Sequence, residues 1–149
     1  MHEPILVSAC LLGLSTRYDG VTRSHPEVTR FLEFNRLIPI PVCPEQLGGL
    51  PTPRPSASFS SGDGEALLDG NGTLCDLHGS SLNEAFIRGA EQVLNIARLT
   101  GCARALLKER SPSCGCRQVY LNGNLVTGRG VTSALLHRHA ISVFSEEEL

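Results

Sequence analysis

Three short apolar runs, residues 4–9 (PILVSA), 37–42 (LIPIPV) and 103–108 (ARALLK), each lead into a loop that carries a cysteine, and segments of helical periodicity lie between them. An apolar run of this length reads as a buried strand, and a strand apolar at nearly every position needs cover on both faces. Strands that alternate with helices predict a mostly parallel sheet flanked by helices. The expected fold is α/β, Rossmann-like or flavodoxin-like, as a single domain over residues 1–149, a common length for one domain. Pro39 and Pro41 mark the second run as an edge strand or one with irregular pairing, because proline donates nothing to a ladder.

The helices follow from start and stop signals. A first helix is expected from near Ser24 to about Arg36, with Pro26 in its first turn and Glu27 at the end the dipole favours. A long helix is expected after Ser80 or Ser81, with Leu82, Phe86, Ala90, Val93, Leu94 and Ala97 at helical spacing and Gly101 as its stop. A last helix follows Gly130 and ends near His139. Residues 141–144 read as a final strand and residues 145–148 (SEEE) as a solvated tail. Asn122-Gly123 is a strong hairpin signal between residues 118–121 and 125–127. Residues 46–79 are the least regular region. Their prolines exclude a helix over 47–55, residues 56–64 read as a mobile active-site loop, and 66–68 with 73–77 read as a small hairpin.

The six cysteines carry the functional argument. No basic n-region and apolar stretch of signal length opens the chain, so a reducing cytoplasm is expected, where cysteines bind metals or do chemistry more readily than they form disulfides. No run is long enough to span a membrane. A net charge of −2 argues against binding a nucleic-acid polymer, which needs a basic face. In open α/β sheets ligands bind beyond the carboxyl ends of the strands. Cys10 follows the first strand, Cys43 follows the second, and Cys114 lies a few residues past the third. If those strands are parallel neighbours, all three thiols meet at one end of the sheet. Three thiolates suit zinc or an iron–sulfur cluster, and the spacing alone does not choose between them. Cys75 and Cys102 read as packing residues, and Cys116 stays open as a Cys-x-Cys partner.

Other candidates surround this trio. Glu45, two residues after Cys43, is placed to move a proton beside a metal site. Ser111 and Ser113 precede Cys114 and offer hydroxyls to a substrate or a cluster sulfur, although serine beside Pro112 is also ordinary turn chemistry. Lys108 and Glu109 close the third strand and read as a pair. Arg17, Arg54 and Arg129 lie in glycine- or proline-rich loops where a guanidinium can hold an anion.

Read together, the segments VSACLLG (7–13), RYDG (17–20), CPE (43–45) with GGL (48–50), Pro53-Arg54, Lys108-Glu109 with SPSCG (111–115), and residues 128–131 resemble the DUF523 family, which includes the thiouracil desulfidases. The resemblance runs from about residue 5 to the last strand. It implies a [4Fe–4S] cluster on Cys10, Cys43 and Cys114 and hydrolytic removal of sulfur from a small thioamide such as 2-thiouracil. It assigns catalytic assistance to Glu45 and to Ser111, with Ser113 as the alternative serine. Arg17, Asp19 and Arg54, within the shared segments, become the candidates for holding substrate or an anion. Many relatives carry a cysteine just before the RYDG segment, where this chain has Thr16. The competing readings are a non-catalytic iron–sulfur or zinc carrier and a thiol-based or zinc enzyme on the same cysteines.

Overall fold

The computed structural model describes residues 2–149, and β1 (Glu3–Ser8) lies at its centre. Ile5, Leu6 and Val7 have no exposed surface, which is why the run is apolar at consecutive positions. Ile5 and Val7 pack with Val28 and Leu32 of α1 (Pro26–Phe34) on one face. Leu6 packs with Val93 and Leu94 of α4 (Asn83–Thr100) on the other.

β1 pairs in parallel with β2 (Leu37–Val42) and with β5 (Arg104–Leu107), and β5 pairs in parallel with β8 (Ser142–Ser145). The order β2-β1-β5-β8 puts β2 at an edge, where Pro39 and Pro41 cost no ladder bond to a further strand. Numbered within this sheet alone, the order is 2-1-3-4, the flavodoxin-like arrangement. Its switch point falls between β1 and β5, where such sheets bind ligands beyond their carboxyl ends.

A second sheet corrects the expectation of one sheet. β3 (Ala57–Ser61) and β4 (Thr73–Asp76) are antiparallel, β3 meets β6 (Gln118–Leu121) in parallel, and β6 forms a hairpin with β7 (Asn124–Thr127). The Asn122-Gly123 turn has positive φ at both residues, 49° and 81°, as a tight hairpin requires. Residues 66–68 belong to α3 (Gly64–Leu68), capped by Asp63 accepting from the Ala66 amide at 3.1 Å, so β4 takes β3 as its partner and the small hairpin expected there does not form. The serine-rich stretch read as mobile becomes a strand because Phe59 is fully buried against Leu67, Leu74 and Phe86.

The remaining elements are α2 (Pro44–Leu47) and α5 (Val131–Arg138). α2 lies directly on α4. A Cβ on Gly89 would stand 1.9 Å from the Pro44 carbonyl oxygen, and one on Gly48 would stand 2.1 Å from that of Ala85. Only glycines allow this approach, and it fixes the turn that carries Cys43 and Glu45. The long helix begins at Asn83, after Leu82, without a serine cap. The acidic tail is a 3-10 turn over Glu146–Glu148, closed by a capping box between Ser145 and Glu148, and so is not a solvated end. No helix among the described residues is long and apolar enough to cross a membrane.

Candidate active site

The carboxyl ends of β1, β2 and β5 open into a pocket of about 590 Å³, and Cys10, Cys43 and Cys114 all line it. Cys10 sits in a 3-10 turn, Ala9–Leu12, that continues β1. Cys43 is the extended N-cap residue of α2, and its thiol points at the Thr16 carbonyl oxygen, 3.8 Å away. Cys114 is held by the turn that follows β5, 4% exposed. Cys116 packs into the core beneath this turn, and Cys75 and Cys102 lie outside the pocket.

Burial dominates the chemistry of all three thiols. It pushes Cys10 up to about 11, partly opposed by the charge of Lys108. It pushes Cys114 up to about 12 against the pull of the Ser8 and Ser113 hydroxyls, and it raises Cys43 as well. Without a bound cation these thiols stay protonated near neutral pH, because burial penalises the thiolate form.

Glu45 enters from the first turn of α2. Arg54 donates from Nε to Glu45 Oε1 at 2.9 Å, and the Ser113 hydroxyl donates to Glu45 Oε2 at 3.1 Å. The Ser111 hydroxyl lies 3.0 Å from Ser113 Oγ and accepts from the amides of Ser113 (3.2 Å) and Cys114 (3.1 Å). The directions follow: Ser111 donates to Ser113, and Ser113 donates to Glu45. Ser113 Oγ is also 3.7 Å from Cys114 Sγ. Of the two serines, Ser113 touches both the acid and the cysteine, while Ser111 shapes the turn.

Backbone contacts hold the turn from outside. The amides of Val131 and Thr132, at the start of α5, donate to the carbonyls of Pro112 (3.0 Å) and Ser113 (2.8 Å). Gly130 permits this contact, since a Cβ there would meet the Ser113 carbonyl carbon at 2.4 Å. Glu109, 3% exposed, accepts through Oε1 from the amides of Cys116, Arg117 and Gln118 at 2.9, 3.0 and 3.2 Å. Burial alone would raise its carboxyl, but the backbone donors outweigh burial and hold it below the usual carboxylate range. Glu109 therefore does not pair with Lys108. Lys108 Nζ lies 2.9 Å from Glu146 Oε2.

The arginine candidates are placed differently from one another. Arg54 is 9% exposed and donates to Glu45, to Pro51 O and Thr52 Oγ1, and to Thr16 O, which leaves little of its fork for a ligand. Arg17 lines the pocket mouth, stacked over Tyr18 and bound through two nitrogens to Asp19 at 3.2 Å each. That pairing, with the Val21 amide, lowers the Asp19 carboxyl. Arg129 lies on the far side of the 111–116 turn, in an open depression of about 990 Å³ whose rim mixes acids with Arg117. Sequence reasoning missed the outer wall of the pocket. Leu77 after β4 and Tyr120 of β6, 76% and 43% exposed, face it from the second sheet. Nothing in the sequence could have found them, because no periodicity ties that sheet to the cysteines.

Comparison with known proteins agrees with this geometry. The 2-thiouracil desulfurase family profile matches residues 5–148. The uncharacterised protein YbbK of Bacillus subtilis (strain 168) is 36% identical over 148 residues, 97% of each chain. The solved structure of the [4Fe-4S]-dependent thiouracil desulfidase TudS superposes with a TM-score of 0.80 at 40% identity, covering 99% of this chain and 93% of that one. The chain belongs to the 2-thiouracil desulfurase family.

Proposed function

We propose that this chain is a desulfidase that replaces the sulfur of a thiolated nucleobase, such as 2-thiouracil, or of a related small thioamide, using a [4Fe–4S] cluster held by Cys10, Cys43 and Cys114. One observation carries the reading: Arg54, Glu45, Ser113 and Cys114 form a continuous polar run inside the pocket that all three cysteines line. Through Ser113 the run brings the Glu45 carboxylate next to a cysteine assigned to the cofactor.

The donor set fits a cluster. Three soft cysteine thiols line one pocket, the donor type that iron–sulfur clusters use. In a cluster each thiolate would bind a different iron, so three cysteines would leave one iron without a protein ligand. When bound, the cluster supplies an iron without a protein ligand, a Lewis acid for the thiocarbonyl sulfur.

The chain's own groups supply the rest. Arg54 holds Glu45 Oε1, so Oε2 is the oxygen directed to the reaction. Glu45 takes a proton from the water that adds to the carbon bearing sulfur, then returns it as the carbon–sulfur bond breaks. Thioamide and water become the oxo product and hydrogen sulfide, with no net oxidation. Ser113 orients the carboxylate through the proton it donates to Glu45 Oε2. Tyr18, Leu77 and Tyr120 form an apolar rim for a flat ring, and the Arg17–Asp19 pair stiffens that rim.

The test is iron and acid-labile sulfide content of protein reconstituted without oxygen, followed by sulfide release from 2-thiouracil. The expected result is about four irons per chain, lost in Cys10→Ser, Cys43→Ser and Cys114→Ser, and turnover lowered about a hundredfold in Glu45→Gln with the cluster retained. A cluster-loaded Glu45→Gln protein that releases sulfide at the parental rate removes Glu45 from the mechanism. A parental protein that binds no iron ends the reading.

A further inference from the structure

Lys108 pairs not with its neighbour Glu109 but with Glu146, supplied by the C-terminal turn that follows β8. Its backbone amide donates to Ser8 Oγ at 2.9 Å, which ties the end of β5 to the end of β1 two residues before Cys10. Its ammonium lies 2.9 Å from Glu146 Oε2 and donates to the Glu109 carbonyl oxygen at 3.2 Å. Glu146 is anchored through its other oxygen, which accepts from the Glu109 amide at 2.8 Å. The side chains are 21% and 8% exposed, so neither charge is free to swing into water. The Ser145–Glu148 capping box fixes the turn that presents Glu146.

Lys108 lines the pocket together with Cys10, Cys43 and Cys114, and Glu146 meets its ammonium from behind the pocket wall. Arg54 and Arg17 line the same pocket, paired with Glu45 and Asp19, as Lys108 is with Glu146.

Resting on the function proposed above, we propose that Lys108 and Glu146 form a charge pair that sets the electrostatic potential at the cofactor site. Lys108 raises it, and Glu146 limits that rise while holding Lys108 in place. Lys108 is a positioning residue acting through charge. It favours anionic sulfur at the site, whether a substrate thiolate or released sulfide. The acidic C-terminal turn thereby takes a role in the chemistry although it lies outside the pocket wall.

Opposite signs test it. Lys108→Met and Glu146→Gln are compared with the parental protein and Lys108→Arg, all cluster-loaded under anaerobic conditions. Two quantities are read: the reduction midpoint of the cluster, and the affinity for added inorganic sulfide followed in the visible spectrum. Lys108→Met is expected to lower the midpoint and weaken sulfide binding, roughly tenfold for one partly screened charge. Glu146→Gln is expected to raise the midpoint and tighten binding, and Lys108→Arg to stay near parental. A purely structural pair would shift both variants in the same direction or neither, and either result overturns the proposal. If Lys108→Met does not fold, Glu146→Gln against Lys108→Arg decides, and equal midpoints overturn it. A parental protein without iron fails earlier, at metal content, and overturns both readings.

Discussion

Glu45 and Arg54 form an ion pair within the pocket, with Nε 2.9 Å from Oε1 and side chains 14% and 5% exposed. The guanidinium also binds three backbone or hydroxyl oxygens from residues 16, 51 and 52. Breaking a buried pair from one side leaves an uncompensated charge, which costs about 3 kcal/mol or more. Arg54→Met is therefore expected to lose about 3 kcal/mol in chemical denaturation. Arg54→Lys should recover part of that loss, because it restores charge but cannot fill the fork. Glu45→Gln keeps an acceptor for Arg54 and should cost less than Arg54→Met. Equal stabilities for Arg54→Met and the parental protein would remove the clamp.

Glu109 gives a pH dependence with a definite sign. Its carboxyl titrates lower in the folded protein than the ordinary value of 4.5, because backbone amides hold the charged form. A depressed folded value adds stability above the unfolded value, and that stability is lost as pH falls through the folded one. The melting temperature of the parental protein is expected to exceed that of Glu109→Gln at neutral pH, and the gap to narrow as pH drops below about 4.5. A gap constant down to pH 3 would show that Glu109 acts through shape alone.

The approach of α2 to α4 tests how the fold sets the site. Gly89→Ala puts a methyl group where the Pro44 carbonyl oxygen stands 1.9 Å away, so one element must move. Overpacking of this kind costs about 1–3 kcal/mol. Here the displaced element carries Cys43 and Glu45, so iron content should fall along with stability. A Gly89→Ala protein less stable than parental but with full iron content would mean that the cysteine tolerates the shift.

The same features explain what could be read from the chain. The strands before Cys10, Cys43 and Cys114 were legible because a parallel sheet buried on both faces demands continuous apolar runs, and their order of occurrence places three thiols at one end. β3 was not legible, because only Phe59 of ASFSS faces the core and its serines mimic a loop. α3 was hidden by its length of five residues, held by the Asp63 cap rather than by an apolar stripe. The three glutamates near the C-terminus read as solvent-facing because runs of like charge usually are. Only contacts made far away in sequence, with Lys108 and the Glu109 amide, reveal Glu146 as structural. Arg54 stood out in the sequence as an anion-holding candidate, but its fork is filled by Glu45, Thr52 and the backbone oxygens of Thr16 and Pro51, partners that no sequence pattern encodes.

Ser113 and Glu45 are expected to act as one unit. The serine hydroxyl donates to Glu45 Oε2 at 3.1 Å and lies 3.7 Å from Cys114 Sγ, so removing either member breaks the same link. Ser113→Ala and Glu45→Gln should each lower sulfide release by about a hundredfold, the low end for a positioned acid–base group. The double variant should fall little further, because residues of one unit are strongly non-additive. Ser111→Ala is the comparison. It removes the acceptor for the Ser113 and Cys114 amides, so its main effect should be on stability and iron retention. The measurement is sulfide release normalised to bound iron across the four proteins. If the Ser113→Ala and Glu45→Gln losses multiply in the double variant, the hydroxyl and the carboxylate serve separate steps. If Ser111→Ala alone abolishes turnover with the cluster intact, the catalytic serine is the first of the pair.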